Sequence, residues 1–191
     1  MRTPIITFLL FIPLTVFAWD NPPTTGTVYL QSGEQVSGNI SIDFWHDVVV
    51  VTNEDDQKIV NHASMIEQVV TVDQCQKART FRVFPHDKGL HLFQLVTHGK
   101  IKLLRRIFDY ESFGSEEGYT IDRWFVLADN NQVKPVKNFK RQVLPMMNDR
   151  EEELEQFAEV NNIRKLKRVE NMFLLVSYYN SLNHEGWLST N

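Results

Sequence analysis

Histidines and aspartates in two short stretches are the residues best suited to hold a metal ion. Together with one later histidine, "DFWHD" and "PHDKGLH" supply seven such side chains: Asp43, His46, Asp47, His86, Asp87, His91 and His98. A zinc site needs three or four nitrogen, sulfur or oxygen ligands that converge. Neither stretch has a zinc-ligand spacing, and "HExxH" does not occur. We therefore predict no metal site; the candidates for one are the loop residues His86, Asp87 and His91.

A catalytic serine or cysteine has little support in the sequence. "GxSxG" is missing, and Ser32 in "QSGE" and Ser115 in "FGSEEG" lack the strand-to-helix elbow that exposes a nucleophile. Neither a phosphate-cradling nor a dinucleotide-binding glycine motif occurs. The sequence thus predicts no catalytic residue and no cofactor. The alternative is a hydrolase, metal-dependent or not, assembled only in three dimensions from His86, Asp87, His91 and His98.

Basic residues are concentrated in residues 77–106, where one acid, Asp87, accompanies eight of them: Lys77, Arg79, Arg82, Lys88, Lys100, Lys102, Arg105 and Arg106. Such a cluster could bind a polyanion, such as the phosphates of lipopolysaccharide. The alternation of Lys100 and Lys102 with apolar neighbours is equally typical of the solvent face of an ordinary strand, and we favour that interpretation. The basic candidates for binding an anionic envelope component are Lys100, Lys102, Arg105 and Arg106.

Aromatic residues are frequent, with 13 Phe, 5 Tyr and 4 Trp. Adjacent residues of a strand point to opposite faces, so Trp124 and Phe125 cannot both enter one core, and one of them must face a second layer. The predicted cover is helical and includes Phe157, Phe173 and Leu174. Core packing is favoured over an exposed aromatic platform. Tyr110 and Phe113 are the exceptions, because they lie in or beside a polar, glycine-bearing loop, and they are further candidates for ligand contacts.

The first region, residues 24–74, reads as about five short strands. In "TGTVYLQSGEQVSGNISIDF" apolar and polar residues alternate, and three glycines interrupt them: Gly26, Gly33 and Gly38. Gly33 suits the positive φ of a hairpin turn, and Gly38 lies inside a strand, where glycine usually marks a bend or bulge. A strongly bent hairpin is what a small closed barrel requires. The pattern resembles the SH3-like or Sm-like small barrel.

A second antiparallel β region is predicted for residues 77–137, with hairpins around His98 and around residues 129–131. After Asn138 the apolar period changes from two to nearly four, which indicates helices in residues 138–191. An Asn148 or Asp149 cap is predicted for the helix that begins in "NDREEELEQ", and a last helix is predicted at about residues 169–182. The fold class is therefore α+β, mainly antiparallel β, with the helical segment packed on the β region.

The first 18 residues have the pattern of a secretory signal peptide: a positive charge at Arg2, an apolar run, and small residues before a cleavage site at Ala18. The run is too short for a membrane span and contains Pro13. We therefore expect export to the periplasm or medium, and no transmembrane segment after cleavage. Nucleic acid is not an expected partner in that location. Cys75 is the only cysteine, so an internal disulfide is excluded, and we expect it to be buried and inert.

Three loose motifs are distributed along most of the chain: "GxVxLxxGExVxGxI" in residues 26–40, "LFxxVxxGKIxLL" in residues 92–104, and "YYN" in residues 178–180. With the signal peptide, they make the chain similar to a set of exported proteins of Gram-negative bacteria. Those proteins have no established activity, so the resemblance supports the region boundaries and implies no catalytic residue.

The sequence as a whole predicts a non-catalytic binding or assembly module of the periplasm or cell envelope. Its partner would be an envelope protein or an anionic envelope component. Besides the hydrolase, a second alternative is an Sm-like oligomer that binds a polyanion and assembles through the edges of its sheet.

Overall fold

A computed structural model describes residues 24–72, 75–110, 119–127, 131–164, 166 and 168–188. The predicted signal peptide, Phe113 and the rest of the polar loop at residues 111–118 lie outside the described residues. The described chain contains a ten-stranded antiparallel sheet followed by helices. The predicted α+β class with mainly antiparallel β structure is confirmed.

The first five strands are β1 to β5: Thr24–Leu30, Gln35–Asp43, Val48–Thr52, Lys58–His62 and Ile66–Val72. A 3-10 turn, Ala63–Met65, joins β4 to β5. The strands form because apolar residues recur at every second position, which gives one buried face with Val28, Val49 and Val69. Gly33 adopts φ +89° in the turn between β1 and β2, as a hairpin with a positive φ requires.

Two glycines allow neighbouring strands to approach closely. A Cβ atom on Gly26 would clash with the carbonyl oxygen of Val70 on β5, and one on Gly38 would clash with that of Thr52 on β3. Gly26 and Gly38 are therefore required by backbone proximity, whereas Gly33 of the same motif is required by its positive φ.

The second five strands are β6 to β10: Ala78–His86, Gly89–Leu95, Lys102–Tyr110, Tyr119–Leu127 and Val133–Pro135. The strand order across the sheet is β10-β9-β8-β7-β6-β5-β1-β2-β3-β4. Because β5 pairs with both β1 and β6, the two predicted β regions form one continuous sheet. Its edges are β4 and β10, and a closed N-terminal barrel stays a prediction.

The helices follow β10: α1, Phe139–Gln142; a 3-10 segment, Leu144–Arg150; α2, Glu151–Val160; and α3, Val169–Leu188. The predicted cap of α2 is wrong. The N-cap of α2 is Arg150, without a side-chain cap, because residues 144–150 form the 3-10 segment. The Asp149 carboxylate instead bonds to Lys100 and Tyr179.

The helices pack on the half of the sheet formed by the later strands. One buried cluster joins Leu103 and Val126 of the sheet and Ile101 of the β7–β8 turn to helical residues, among them Met172, Leu175, Val176 and Tyr179. The four helical residues have the i, i+3, i+4, i+7 spacing of one face of α3. Phe157 stacks on Tyr178 with ring centroids 4.0 Å apart.

Two further predictions are corrected by the structure. Phe173 and Leu174 are not part of the buried cluster between α3 and the sheet, because Met172, Leu175, Val176 and Tyr179 form the buried face of the helix; Phe173 and Leu174 are 39% and 42% exposed. Cys75 is exposed rather than buried, because it lies in the connection between β5 and β6 and not in a strand. Phe125 is buried and Trp124 half-buried, in line with their opposite faces.

Candidate functional site

The histidine candidates do not converge. His86 and His91 have ring centroids 6.1 Å apart, and the Nε2 atom of His86 lies 3.6 Å from the Asp87 carboxylate. His98 is exposed on the turn between β7 and β8. Within the described residues, no group of three or more His, Cys, Asp or Glu side chains is arranged to hold a metal ion.

His86 serves packing instead. Its ring lies edge-on to Phe125 at 5.3 Å and to Phe93 at 6.0 Å. Its Nδ1 atom lies 3.2 Å from the carbonyl oxygen of Val133 on β10. The side chain therefore links the edge strand β10 to the middle of the sheet.

Arg106, a candidate for binding an anion at the surface, is in fact buried, with 6% of its surface exposed. Its guanidinium lies 3.0 Å from the carboxylate of Asp47 and donates to the carbonyl oxygen of Phe44. Burial lowers the pKa of the Arg106 guanidinium, and the Asp47 carboxylate opposes that shift. Arg106 is thus unavailable to an external ligand, because the turn between β2 and β3 folds over it.

Asp47 is the centre of this buried network. Besides Arg106, its carboxylate accepts a hydrogen bond from the Leu92 backbone N–H at 2.8 Å and one from His91 Nδ1 at 2.8 Å. Its backbone is in the left-handed region, with φ +54°. The network joins the β2–β3 turn to β7 and β8, which are distant in sequence. We interpret it as structural.

Lys100 is held by the helical segment. Its Nζ atom donates to Asp149 at 2.9 Å and lies 5.3 Å from the centre of the Tyr179 ring, and the Tyr179 hydroxyl donates to the same carboxylate at 2.8 Å. Hydrogen bonding to Tyr179 and Asp149 raises the pKa of Lys100, and Lys100 lowers the pKa of Asp149. A lysine that keeps its proton is neither a base nor a nucleophile near neutral pH.

The motifs "LFxxVxxGKIxLL" and "YYN" contact each other next to the hydrogen bond between Lys100 and Asp149. Asn180 bonds to both backbone polar groups of Ile101, and Gly99 adopts φ +125° with its Cα against the Asn180 side chain. The "GKI" and "YYN" motifs are therefore two halves of one contact between the β7–β8 turn and α3.

The remaining sequence candidates do not form a shared basic patch. Arg105 donates from Nη2 to both Asp122 oxygens at 2.8 Å and lies over the Trp124 ring. Lys102 is half-buried on β8. Tyr110 is the last residue of β8; its side chain, like all of Phe113, lies outside the described part of the chain.

A different set of basic residues lines one open cleft of about 850 Å³ beside the start of α3. Its four exposed cations are Lys137, Lys140, Arg164 and Arg168. Its other lining residues are apolar or uncharged: Trp124, Val136, Asn138, Phe139, Leu166, Val169 and Met172. Among the described lining residues there is no Asp or Glu. None of the four cations forms an ion pair with another described residue. We call this site the basic cleft.

One side of the basic cleft is fixed by the corner between β10 and α1. The Gln142 side chain accepts from the backbone N–H groups of Lys137 and Asn138, both at 2.7 Å, and donates to the carbonyl oxygen of Pro135 at 3.0 Å. The Asn138 side chain caps α1 by accepting from the N–H of Arg141 at 3.2 Å. Lys137 and Lys140 therefore extend from an ordered corner.

The other side is the connection between α2 and α3. Asn162 takes φ +52° at the end of α2, and the N–H of the buried Ile163 returns to the carbonyl oxygen of Ala158 at 2.8 Å. Arg164 follows this anchor, and Arg168 immediately precedes α3, where its carbonyl accepts from Met172. The local fold thus holds Arg164 and Arg168 near the start of α3, where they line the basic cleft together with the two lysines.

The sequence contains a signal for this site that was missed. "KPVKNFKR" and "RKLKR" are both basic, but the acidic run "DREEELE" stands between them and masks the clustering. A cluster of cations with no acid partner attracts an anion, and the cleft offers apolar contacts beneath it. Its lining contains donors for an anion.

Comparison of the chain with protein-family models, curated proteins and solved structures found no match. Among the described helices, none combines the length and the apolar character needed to cross a membrane.

Proposed function

We propose that the protein is an exported, non-catalytic binding module of the periplasm or cell envelope, and that its ligand is an anionic, lipid-like envelope component. The observation that carries this proposal is the basic cleft, where four exposed cations, none in an ion pair with another described residue, lie beside apolar lining residues that we call the apolar floor. The signal-peptide pattern of residues 1–18 supports the location.

The charge of the cleft contrasts with that of the chain. The whole sequence has 24 Asp and Glu against 20 Lys and Arg, so general electrostatic attraction does not explain binding of an anion. Each cation close to an anionic lipid surface contributes about 1 kcal/mol. Four such cations alone would give a dissociation constant on the order of 1 mM. Tighter binding requires the ligand to use the apolar floor as well.

We propose further that the five N-terminal strands coil into an SH3-like or Sm-like barrel that serves as a scaffold. The contiguous order β5-β1-β2-β3-β4 and the close strand approaches at Gly26 and Gly38 support this. Edge-to-edge assembly of such barrels would have to use β4 or β10, because β5 is hydrogen-bonded on both sides.

Binding to vesicles tests the function. The full chain would be expressed with its own leader, purified from the exported fraction and mixed with vesicles of phosphatidylglycerol in phosphatidylcholine or of phosphatidylcholine alone. We expect cosedimentation with the anionic vesicles only. A Lys140→Glu, Arg164→Glu variant should lose most of it. A matched Lys58→Glu, Lys88→Glu variant changes the net charge equally at exposed positions outside the basic cleft, and should retain it.

Equal loss in the two variants would assign the binding to net charge rather than to the basic cleft. Failure of the unmodified protein to bind anionic vesicles, or retention of the protein in the cytoplasm, would overturn the proposed function.

A further inference from the structure

A second cavity, of about 350 Å³, lies between the 3-10 segment, α2 and α3. Its walls include Met147, Leu154, Ile163 and Leu175, all buried, and Ala158 on the inner side of α2. The lining also contains five exposed polar or charged residues, Lys140, Asn148, Glu151, Glu155 and Arg164, but its buried part is apolar. We call it the apolar cavity. An apolar group is the occupant that fits its chemistry.

The apolar cavity adjoins the basic cleft. The two share three lining residues: Lys140, Arg164 and Leu166. Two of the four cations therefore lie where the two sites meet. The acids that line the cavity, Glu151 and Glu155, are on α2 and do not line the basic cleft. An anion is thus favoured on the cleft side of the cavity and disfavoured along α2.

We propose that the two sites together bind one anionic amphiphile with a single apolar chain. The anionic head group lies in the basic cleft between Lys140 and Arg164, and the chain enters the apolar cavity. This inference rests on the proposed function and specifies its ligand class. The size supports one chain, because 350 Å³ is near the lower end of the range for ligand pockets, which is about 300 to 1,000 Å³.

The proposal can be tested by measuring how the affinity depends on the length of the ligand's alkyl chain. Burial of one additional CH₂ group strengthens binding by about fourfold if the chain is fully removed from water. Glycerol phosphate, butyl phosphate and octyl phosphate have the same kind of head group and increasing chains. With the protein purified from the exported fraction, calorimetric titration below the micellar concentration should give at least about tenfold tighter binding for octyl than for butyl phosphate.

A substitution that fills the apolar cavity tests whether the ligand's alkyl chain binds there. Ala158→Phe places a ring in the apolar cavity and should abolish the difference between butyl and octyl phosphate while leaving the affinity for glycerol phosphate unchanged. Val160→Phe is the matched control, since Val160 is on the same helix, is 75% exposed and does not line the cavity. If Ala158→Phe does not fold, the smaller Ala158→Leu substitution replaces it and should reduce the same difference.

The outcomes separate the two proposals. Equal affinities for all three phosphates in the unmodified protein, with loss of all three in the Lys140→Glu, Arg164→Glu variant, would overturn the single-chain ligand and leave the proposed function standing. A chain-length effect that persists undiminished in both Ala158 variants would also overturn it. Binding of none of the phosphates, together with no binding to anionic vesicles, would remove both proposals.

Discussion

The side chain of Asn180 satisfies both backbone polar groups of Ile101: its Oδ1 atom accepts from the Ile101 N–H at 2.9 Å, and its Nδ2 atom donates to the Ile101 carbonyl oxygen at 2.8 Å. Both residues are buried. Since α3 begins directly after Arg168, this contact fixes the helix that forms one boundary of the basic cleft. The β7–β8 turn thereby holds the helix that Arg168 immediately precedes.

Replacement of Asn180 by Ala should destabilise the protein by about 3 kcal/mol, because it leaves a buried N–H and a buried C=O without partners. Asn183→Ala is a suitable control, because that side chain bonds within its own helix, to the carbonyl oxygen of Tyr179. This substitution should lower the free energy of unfolding by less than about 1 kcal/mol. Urea unfolding measures both. Similar small losses would show that the Ile101 contact does not secure α3.

Either single substitution in the buried ion pair, Asp47→Asn or Arg106→Met, should cost about 3 to 5 kcal/mol, because each leaves one charge buried without its partner. The double variant should lose less than the two single losses combined. The exposed pair Arg150 and Glu153 provides a comparison, with an expected contribution of at most about 1 kcal/mol. Strict additivity at Asp47 and Arg106 would contradict direct coupling between them.

Because Asp149 is hydrogen-bonded to Lys100, we expect the stability of the folded protein to depend on pH. Hydrogen bonding to Lys100 lowers the pKa of Asp149 below its ordinary value of 3.8. The stabilisation is therefore fully present above pH 3.8 and is lost as the pH falls through the lower pKa of the folded state. Asp149 is 44% exposed, so the effect is small. Asp149→Asn should be less stable than the unmodified protein at pH 6, and the difference should shrink on acidification. A difference that grows on acidification would contradict the link.

Salt should weaken binding to anionic vesicles, because the four cations are exposed and their attraction is screened over about 8 Å at physiological ionic strength. Lys140→Gln with Arg164→Gln should reduce the steepness of that dependence, and Lys58→Gln with Lys88→Gln should leave it nearly unchanged. Cosedimentation at several NaCl concentrations provides the measurement. Binding that does not respond to salt would point to apolar contacts alone.

The strands could be predicted from the sequence because strand patterns are local, but the pairing of β5 with β6 that joins the two predicted β regions could not. Alternation of apolar residues indicated β1 and β2, and Gly33 indicated the turn between them. The burial of Arg106 was not predictable, because its partner Asp47 is 59 residues away and only the folded turn brings them together. Charge alone suggested an exposed residue.

The two helix errors also have physical reasons. Phe173 and Leu174 are as apolar as Met172 and Leu175, so composition does not show which face of α3 packs on the sheet; that face is selected by contact with residues such as Ile101. Asp149 looked like a cap because acids follow it, but its carboxylate is used by a lysine 49 residues earlier in the chain. The basic cleft was missed for a related reason, since its two halves are separated by the acidic α2.

We expect an anionic head group to bind in the basic cleft. Nuclear magnetic resonance can locate it, with protein purified from the exported fraction and a soluble, short-chain phosphatidylglycerol that carries a nitroxide on its head group. Relaxation broadening should be centred on the amides of Lys137, Lys140, Arg164 and Arg168, with little on β4. Broadening centred elsewhere, on β4 or near Lys77 and Arg79, would contradict it, as would the absence of any broadening.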